Sequence, residues 1–308
     1  MGTFLLSLLL IAAHAIVTQG TAQYAGCPIF TPNDYYNERV DNARVDAHSQ
    51  QYILGALDAG NTGGFWAAAP AAEFINIADE RTPRVVVHEK VPYHHFHERF
   101  PWAPDFRISP LLDAHAMVVD VHSCRLYETY DTSYDGQLSA YSGAVWDLRR
   151  PFVPLSPGTP SSMASGLSIF SGMIKWEEVQ AGHIDHALNW TPPAGTAAEY
   201  DFVRPASYTD GHPFNGRTPY ALPYGAHLRL KRSFDISRFG PQARVIAQAM
   251  KTYGIYLADT GSKGNGLYNA APLSGEDRWD ASDLAALDSI HITDFEVLAL
   301  PQVQRVRR

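Results

Sequence analysis

The chain has 308 residues, of which 45% are hydrophobic, and a formal net charge of −8 at pH 7. The acidic balance and the lack of any run rich in lysine and arginine argue against nucleic acid as a partner, and they disfavour an anionic membrane surface. The hydrophobic content argues against a disordered chain, because it suffices for a packed core.

The first predicted element is a secretory signal peptide, residues 1–22. An uninterrupted apolar run extends from Phe4 to Val17, which is shorter than the roughly 18 to 20 residues that span a bilayer. Gly-Thr-Ala at 20–22 has the small-x-small pattern of a signal-peptidase site. We therefore expect a secreted, extracellular protein with one domain over residues 23–308. No later stretch is long and apolar enough to predict a membrane span.

Only two cysteines occur, Cys27 and Cys124. In an oxidising compartment, an even pair most simply forms one disulfide. The bond would close a loop of roughly a hundred residues between the N-terminal segment and a central strand. Two buried free thiols are the alternative.

A histidine-rich tract follows a short β-branched run at 84–88. The tract, PYHHFHERFPW at 92–102, places three histidines next to aromatic residues. We interpret it as a solvated loop, with adventitious metal binding as the alternative.

The segment 114–130, AHAMVVDVHSCRLYETY, has the pattern of two strands around a turn near 121–123. Side chains an even number of positions apart share a face of a strand. Asp113 and His115 therefore share a side and could both line a cleft, whereas Asp120 faces the opposite side.

Another strand pattern covers 138–148 and ends at Trp146 and Asp147. The segment that follows, 149–166, is too rich in proline, serine and glycine to be regular. Long loops on a compact domain are commonly functional, although ordinary irregular structure explains the composition equally well. An acid at a strand end beside such a loop, as Asp147 is, would suit a catalytic site.

The stretch EEVQAGHIDHALNW, residues 177–190, predicts a helix over 176–188. Glu178 and His186 are eight positions apart and share a face, where Gly182 leaves room. We predict that Glu178 and His186 turn toward a cleft as acid and base, with His183 nearer the core.

Two other interpretations of this stretch stay open. His183 and His186, three positions apart, could form half of a metal site. The helix could instead be structural, with Glu177 and Glu178 favouring its positive N-terminal end and His186 hydrogen-bonded in the core. On balance we expect no metal here.

The last third of the chain alternates loops, one strand and two helices. After an irregular segment at 209–225, the alternation at 226–234 predicts a strand, with Lys231 in its second half. Pro241 and Gly254 bracket an apolar stripe that includes Tyr253, which predicts a helix. Residues 280–287 predict a short helix with an aspartate or serine N-cap.

Several catalytic and cofactor motifs are absent from the chain. It has no Gly-x-Ser-x-Gly nucleophile motif, no P-loop, and no Gly-x-Gly-x-x-Gly between a strand and a helix. DTGSKGNG at 259–266 lacks that setting. We therefore disfavour phosphoryl transfer and dinucleotide chemistry, and we expect no cofactor.

The order of several sequence blocks is similar to that of a widespread group of secreted bacterial proteins, largely of uncharacterised activity. The blocks are CPIF at 27–30, HAMVVDVHSCRLYETY, SGAVWDLRR, ASGLSIFSGMIKWEEVQAGHIDHALNW, LRLKRSFDIS and MKTYGIYLADTGS. The resemblance spans most of the chain after the signal peptide, so it implies one domain. It implies no assured activity and no catalytic residue. The group's AGLPIxPG pattern is replaced here by SGLSIFSG.

Short alternating strands and many turn signals predict a mainly β fold: a single-domain β-sandwich or jelly roll with two or three short helices. The chain has 6 tryptophans, 16 tyrosines and 14 phenylalanines. Aromatic faces stack on sugar rings, and carboxylates serve acid–base chemistry.

We therefore expect a monomeric carbohydrate-active enzyme, either a glycoside hydrolase or a polysaccharide lyase, that acts on an extracellular polysaccharide. Glu178 would be the acid/base, assisted by His186 and by Asp120 or Asp147. The expected substrate-binding residues are Asp113, His115, Trp146, Lys231 and Tyr253. Lys231 would be the charge neutraliser of a lyase. The alternative is a non-catalytic carbohydrate-binding or cell-surface protein.

Overall fold

The structure is a computed structural model that describes residues 22–71, 73–91, 96–261 and 264–306. The predicted signal peptide lies outside these ranges except for Ala22, and so do residues 92–95 of the histidine-rich tract. The described chain is mainly β with few, short helices, as the strand patterns predict. None of these helices has the length and hydropathy needed to cross a bilayer.

Helices of the described residues are α1 (Ser49–Asp58), α2 (Trp176–Ala181), α3 (Pro241–Thr252) and α4 (Ala281–Leu284), with 3-10 turns at Ala285–Ser289 and Ile292–Asp294. The strands up to the middle of the chain are β1 (Gln23–Tyr24), β2 (Cys27–Pro28), β3 (Phe65–Ala67), β4 (Ile75–Ala78), β5 (Arg84–Val85), β6 (His88–Glu89), β7 (Phe100–Pro101), β8 (Ala116–Asp120), β9 (Arg125–Tyr130), β10 (Ser133–Tyr134), β11 (Leu138–Ala140) and β12 (Ser142–Asp147). The later strands are β13 (Leu188–Thr191), β14 (Ala197–Phe202), β15 (Leu222–Tyr224), β16 (His227–Leu230), β17 (Ile255–Leu257), β18 (Asn265–Leu267), β19 (Phe295–Val297) and β20 (Gln304–Arg305).

The described strands form six sheets, and the two largest, both mixed, carry the core. The larger has six strands in the order β19-β16-β17-β13-β18-β3, with β17 and β13 parallel at its centre. The smaller has four strands in the order β12-β9-β8-β4. Its centre is the predicted hairpin of β8 and β9, which pairs Ala116 with Thr129 and Asp120 with Arg125.

The central strands of both sheets are buried on both faces, so they alternate between two hydrophobic clusters rather than between core and solvent. Met117 and Val119 of β8 enter a central cluster, to which Tyr256 of β17 also contributes. Ala116 and Val118 enter a third cluster on the far side of the smaller sheet. Ile255 and Leu257 enter the cluster that contains the inner face of α3. The central cluster therefore lies between the two sheets, in a sandwich-like arrangement.

The helix predicted between Pro241 and Gly254 is confirmed as α3. Proline at the first helical position has no backbone N–H to leave unpaired. Gly254 then takes a φ of 77°, and a Cβ there would lie 2.4 Å from the Leu228 carbonyl oxygen. Glycine is thus required both by the backbone conformation and by the close approach of β16.

The helix predicted over 176–188 is wrong in its second half. It ends at Ala181, because Gly182 takes a left-handed φ of 87° and the Gly182 N–H caps the last turn. His186 lies beyond the helix and is fully buried. His183, expected nearer the core, has 66% of its side chain exposed. The strand predicted over 226–234 likewise stops at Leu230.

The predicted disulfide between Cys27 and Cys124 is present. It joins the end of the N-terminal hairpin to the turn between β8 and β9. Both sulfur atoms lie near the Val121 carbonyl oxygen. The cross-link therefore ties the N-terminal segment to the edge of the central cluster.

We expect a Cys27→Ala, Cys124→Ala double variant to melt at a lower temperature than the wild type. The two cysteines are 97 positions apart. For a disulfide that closes a loop of that size, the chain-entropy model gives a stabilisation of about 4 to 5 kcal/mol as an upper estimate. Circular dichroism melting with and without reductant tests this. Reductant should lower the wild-type midpoint toward that of the variant and leave the variant unchanged; an equal midpoint for both proteins would contradict the prediction.

Candidate functional site

A cleft of about 980 Å³ opens where loops from both sheets meet. The segments that line it are 97–98, 113, 130, 141–145, 155–156, 158–164, 208, 210, 212 and 259–260. Two of the proline-, serine- and glycine-rich segments identified in the sequence therefore contribute to one cavity. The volume falls in the range of ligand-binding pockets.

Asp259 follows the carboxyl end of β17 and forms part of the cleft wall. Its Oδ1 accepts the Thr260 N–H at 2.8 Å, and its Oδ2 accepts the Ala164 N–H at 3.4 Å. Burial and then the charge of Asp210 raise the pKa of Asp259 to about 7, against the lowering effects of the two N–H groups and His115. Asp259 is thus a carboxyl group that can hold a proton near neutral pH.

Asp210 provides a second carboxylate in the cleft, held by hydrogen bonds. Tyr224 Oη donates to Asp210 Oδ1 at 2.7 Å and lies 3.2 Å from Thr260 Oγ1. His212 Nε2 lies 3.2 Å from Asp210 Oδ2. Burial, followed by the charges of Asp259 and Asp210, raises the pKa of Tyr224, so its hydroxyl stays protonated and donates. Tyr224 thereby links the Asp210 loop to the segment that carries Asp259.

Asp113 and His115 both precede β8, and Ala114 between them takes a φ of 43°, so strand alternation does not relate their side chains. Asp113 lines the cleft, and His115 is buried behind it. His115 Nε2 lies 3.1 Å from the Ser162 carbonyl oxygen and must donate to it, because a carbonyl only accepts. Burial lowers the pKa of His115, but the nearby Glu73, with its Oε1 3.6 Å from Nδ1, outweighs this and raises it overall. His115 therefore supports the cleft wall from behind.

Three tyrosines, Tyr130, Tyr141 and Tyr208, complete the lining of the cleft. The rings of Tyr130 and Tyr141 meet edge to face with centroids 6.0 Å apart. Tyr141 is 37% exposed, so part of its surface is accessible to solvent. Tyrosine rings combine an apolar face with a polar tip, which suits stacking on polar rings.

Glu128 on β9 organises the loop that forms one side of the cleft. It is fully buried, and each of its oxygens accepts one serine hydroxyl and one backbone N–H. Oε2 accepts from Ser162 at 2.8 Å and from Ile169 N at 3.2 Å. Oε1 accepts from Ser168 and from Phe170 N, both at 2.8 Å. Burial raises the pKa of Glu128, with these hydrogen bonds opposing it.

The same loop is held from the larger sheet by Asn189 on β13. Asn189 Nδ2 donates to the Ser168 carbonyl oxygen at 2.8 Å, and Asn189 N donates to the Gly172 carbonyl oxygen at 2.8 Å. A Cβ at Gly172 would lie 2.3 Å from the Asn189 side chain. Both sheets therefore fix the loop between Ser161 and Gly172 in one position.

The predicted pair of Glu178 and His186 does meet, although the helix connecting them ends early. Glu178 Oε2 lies 3.1 Å from His186 Nε2 and accepts the Lys175 N–H at the start of α2 at 3.3 Å. Lys175 Nζ is fully buried, 3.4 Å from His186 Nε2 and 3.9 Å from Glu178 Oε2. Burial lowers the pKa of Lys175. Burial alone would raise the pKa of Glu178, but the charges of Lys175 and His186 lower this pKa overall.

These three side chains form a buried charge network, and none of them is among the residues that line the cleft. Glu178 also caps its own helix, which agrees with the structural interpretation of this stretch. The catalytic roles of Glu178 and His186 remain predictions.

The other predicted site residues are not brought together. Asp120 is buried and bound to Ser123 and Arg84. Asp147 forms a surface ion pair with Arg149 at 3.0 Å. The remaining three do not line the cleft: Trp146 and Tyr253 are buried in the central cluster, and exposed Lys231 donates to the Thr293 carbonyl oxygen. Of the nine predicted catalytic and substrate-binding residues, only Asp113 lines the cleft, with His115 directly behind it.

Sequence reasoning missed Asp210 and Asp259. The signal for Asp259 was present, since it follows the apolar strand β17 and precedes a glycine-rich loop. This is the strand-end pattern that singled out Asp147. In the described part of the chain, no group of three or more histidine, cysteine, aspartate or glutamate side chains is placed to hold a metal ion.

Comparisons of the chain with protein-family models, with curated proteins and with solved structures find no match. Assignment of a function therefore depends on the geometry and charge of the cleft.

We expect Glu128→Gln to destabilise the protein by about 2 kcal/mol. The backbone N–H groups of Ile169 and Phe170 bind different oxygens, so an amide NH₂ must face one of them whichever way it is turned. An unsatisfied buried donor costs roughly 1 to 3 kcal/mol. Urea unfolding measures the change, with the exposed Glu276→Gln as a control expected within about 0.5 kcal/mol of wild type. Equal stability of Glu128→Gln and wild type would show that the carboxylate does not hold the loop.

We expect Asp259→Asn to become more stable relative to the wild type as pH rises from 5 to 8. The pKa of Asp259 is about 7 when folded, against 3.8 for an aspartate in an unfolded chain. The folded protein therefore keeps a proton that the unfolded chain releases. This contribution to stability is full below about pH 4 and is lost as pH rises through 7.

Urea unfolding at several pH values measures this difference. Asp147→Asn is the matched control: ion pairing lowers the pKa of Asp147, so its difference from wild type should stay constant above pH 5. A constant difference for Asp259→Asn as well would contradict the raised pKa.

Proposed function

We propose that the chain is a secreted glycoside hydrolase that cuts a polysaccharide lying in the cleft. The observation that carries this proposal is the convergence of Asp113, Asp210 and Asp259 with tyrosine rings in one cavity. Glycosidases use a pair of carboxyl groups on either side of the scissile bond. Tyrosine faces position sugar rings beside them.

Asp259 acts as the general acid in this mechanism. Its burial and the neighbouring charge of Asp210 keep it protonated up to near neutral pH, so it can donate a proton to the leaving glycosidic oxygen. The hydrogen bonds that Asp259 accepts from two backbone N–H groups fix the orientation of its carboxyl group. If Asp210 forms a covalent intermediate, ionised Asp259 then takes the proton of the water that hydrolyses it; if Asp210 activates the water, Asp210 takes that proton and Asp259 regains one from solvent.

Asp210 acts as the second carboxylate. It stays bound to the Tyr224 hydroxyl and beside His212, so its position is fixed relative to Asp259. There it either attacks the anomeric carbon or activates a water molecule, the two roles open to the second carboxylate of a glycosidase.

Hydrolysis fits the cleft better than elimination. A polysaccharide lyase acts on uronates and needs a positive group to neutralise the substrate carboxylate. No lysine or arginine occurs among the described residues that line the cleft. Lys231, the predicted neutraliser, is engaged with Thr293 instead.

A non-catalytic carbohydrate-binding protein is the alternative. Such a protein would be expected to present a flat, exposed aromatic strip. The recessed position of Asp259 and Asp210 beside the tyrosine rings favours the enzyme, which we expect to act as a monomer.

We expect Asp259→Asn to lower turnover by about 10²-fold or more, because it removes the proton donor. Reducing-end release from a panel of glycans identifies the substrate and measures the rate. Glu178→Gln is the comparison variant, since it keeps the size of Glu178 and lies outside the cleft.

The two variants separate the two candidate sites. Loss of activity in Asp259→Asn with retention in Glu178→Gln supports the cleft. The reverse result would overturn this assignment and favour the Glu178–His186 pair. Circular dichroism of each variant shows whether a loss reflects unfolding.

A further inference from the structure

The charged groups of the cleft are predominantly acidic. Carboxyl groups are contributed by Glu98, Asp113, Asp210 and Asp259, of which Asp259 keeps a proton up to near neutral pH. The only basic side chains in the described lining are the imidazoles of His97 and His212, and His212 lies against Asp210. A ligand in this cleft therefore meets a negative potential.

The four carboxylates differ in how far the protein already satisfies them. Glu98 pairs with Arg125 and lies 3.3 Å from the Tyr127 hydroxyl. Asp210 accepts a hydrogen bond from the Tyr224 hydroxyl, and Asp259 accepts hydrogen bonds from two backbone N–H groups. Asp113 is exposed, and among the described residues none donates a hydrogen bond to its side chain, although its charge helps to raise the pKa of His115. Asp113 is thus the carboxylate left to interact with a ligand.

We propose that the polysaccharide bound in this cleft carries protonated amino groups, as a polymer of glucosamine does. The inference rests on the proposed glycosidase function. A substrate ammonium group is attracted by Asp113, and the tyrosine faces add cation–π attraction. A uronate polymer would place like charges together in a partly desolvated cleft. A neutral glycan would leave Asp113 without a charged partner.

The cationic substrate also affects Asp259. A positive charge in the cleft favours the ionised form of a neighbouring carboxyl group and so lowers its pKa. The upper limb of the pH–rate profile, where Asp259 loses its proton, should therefore lie at lower pH for a cationic substrate than for a neutral one. Binding of the cation by Asp113 and proton donation by Asp259 are thereby coupled.

The experiment compares oligosaccharides of equal length built from glucosamine, N-acetylglucosamine and glucuronate. Binding is measured by calorimetry at low and high salt, and cleavage by reducing-end release. We expect the glucosamine oligomer to bind best, and its affinity to fall by about tenfold between 20 mM and 500 mM salt as charges are screened. The N-acetylated oligomer should change by less than about twofold, since it lacks the charge.

Asp113→Asn provides a second measurement. It should weaken binding of the glucosamine oligomer by about five- to tenfold and binding of the N-acetylated oligomer by less than about twofold, because only the first loses a charge pair. Asp288→Asn, an exposed aspartate outside the cleft, is the matched control and should change neither.

The outcomes separate the two proposals. Cleavage of the neutral or the acidic oligomer in preference to the glucosamine oligomer would overturn the substrate class and leave the hydrolase. Salt-dependent binding of the glucosamine oligomer without release of reducing ends would overturn the hydrolase and support the ligand class. Absence of binding by all three would overturn the substrate class directly.

Discussion

The hydrogen bonds of the Glu128 carboxylate connect the smaller sheet to the loop that shapes the cleft. A fully buried carboxylate is costly unless its lone pairs are satisfied, and here two hydroxyls and two backbone N–H groups occupy them. Asn189 holds the same loop from the larger sheet. An irregular, serine-rich segment is therefore fixed between two sheets by polar contacts, and its other end supplies the Ala164 N–H to Asp259.

The buried network around Lys175 pairs opposite charges, whereas the cleft places like charges side by side. Lys175, Glu178 and His186 lie within hydrogen-bond or ion-pair distance of one another, so the network satisfies itself and stabilises the start of α2. In the cleft, like charges adjoin and Asp259 holds a proton because its ionised form is destabilised. A group held in an unfavourable ionisation environment reduces stability, and such groups are concentrated at functional sites.

Local sequence patterns predicted much of the secondary structure. The mainly β fold, the β8–β9 hairpin and α3 follow from periodicity, from Pro241 and from Gly254, all of which act within a few residues. The helix around Glu178 was overextended, because the spacing of acids and histidines suits a helix whereas Gly182 ends it. The pairing of Glu178 with His186 was nevertheless predicted correctly, because the chain after Gly182 folds back and places His186 beside Glu178.

What the sequence by itself determined is therefore the mainly β class, the β8–β9 hairpin, α3 and the disulfide between the two cysteines. Tertiary structure alone decided that Asp210 and Asp259 line one cleft, because they lie on different loops. They are brought together only when β15 and β17 pack and Tyr224 connects Asp210 to Thr260, the residue after Asp259. Tertiary structure also decided that Asp120, Asp147 and Lys231 belong to other contacts. Strand alternation specifies which face a side chain occupies, but not which distant segment packs against that face.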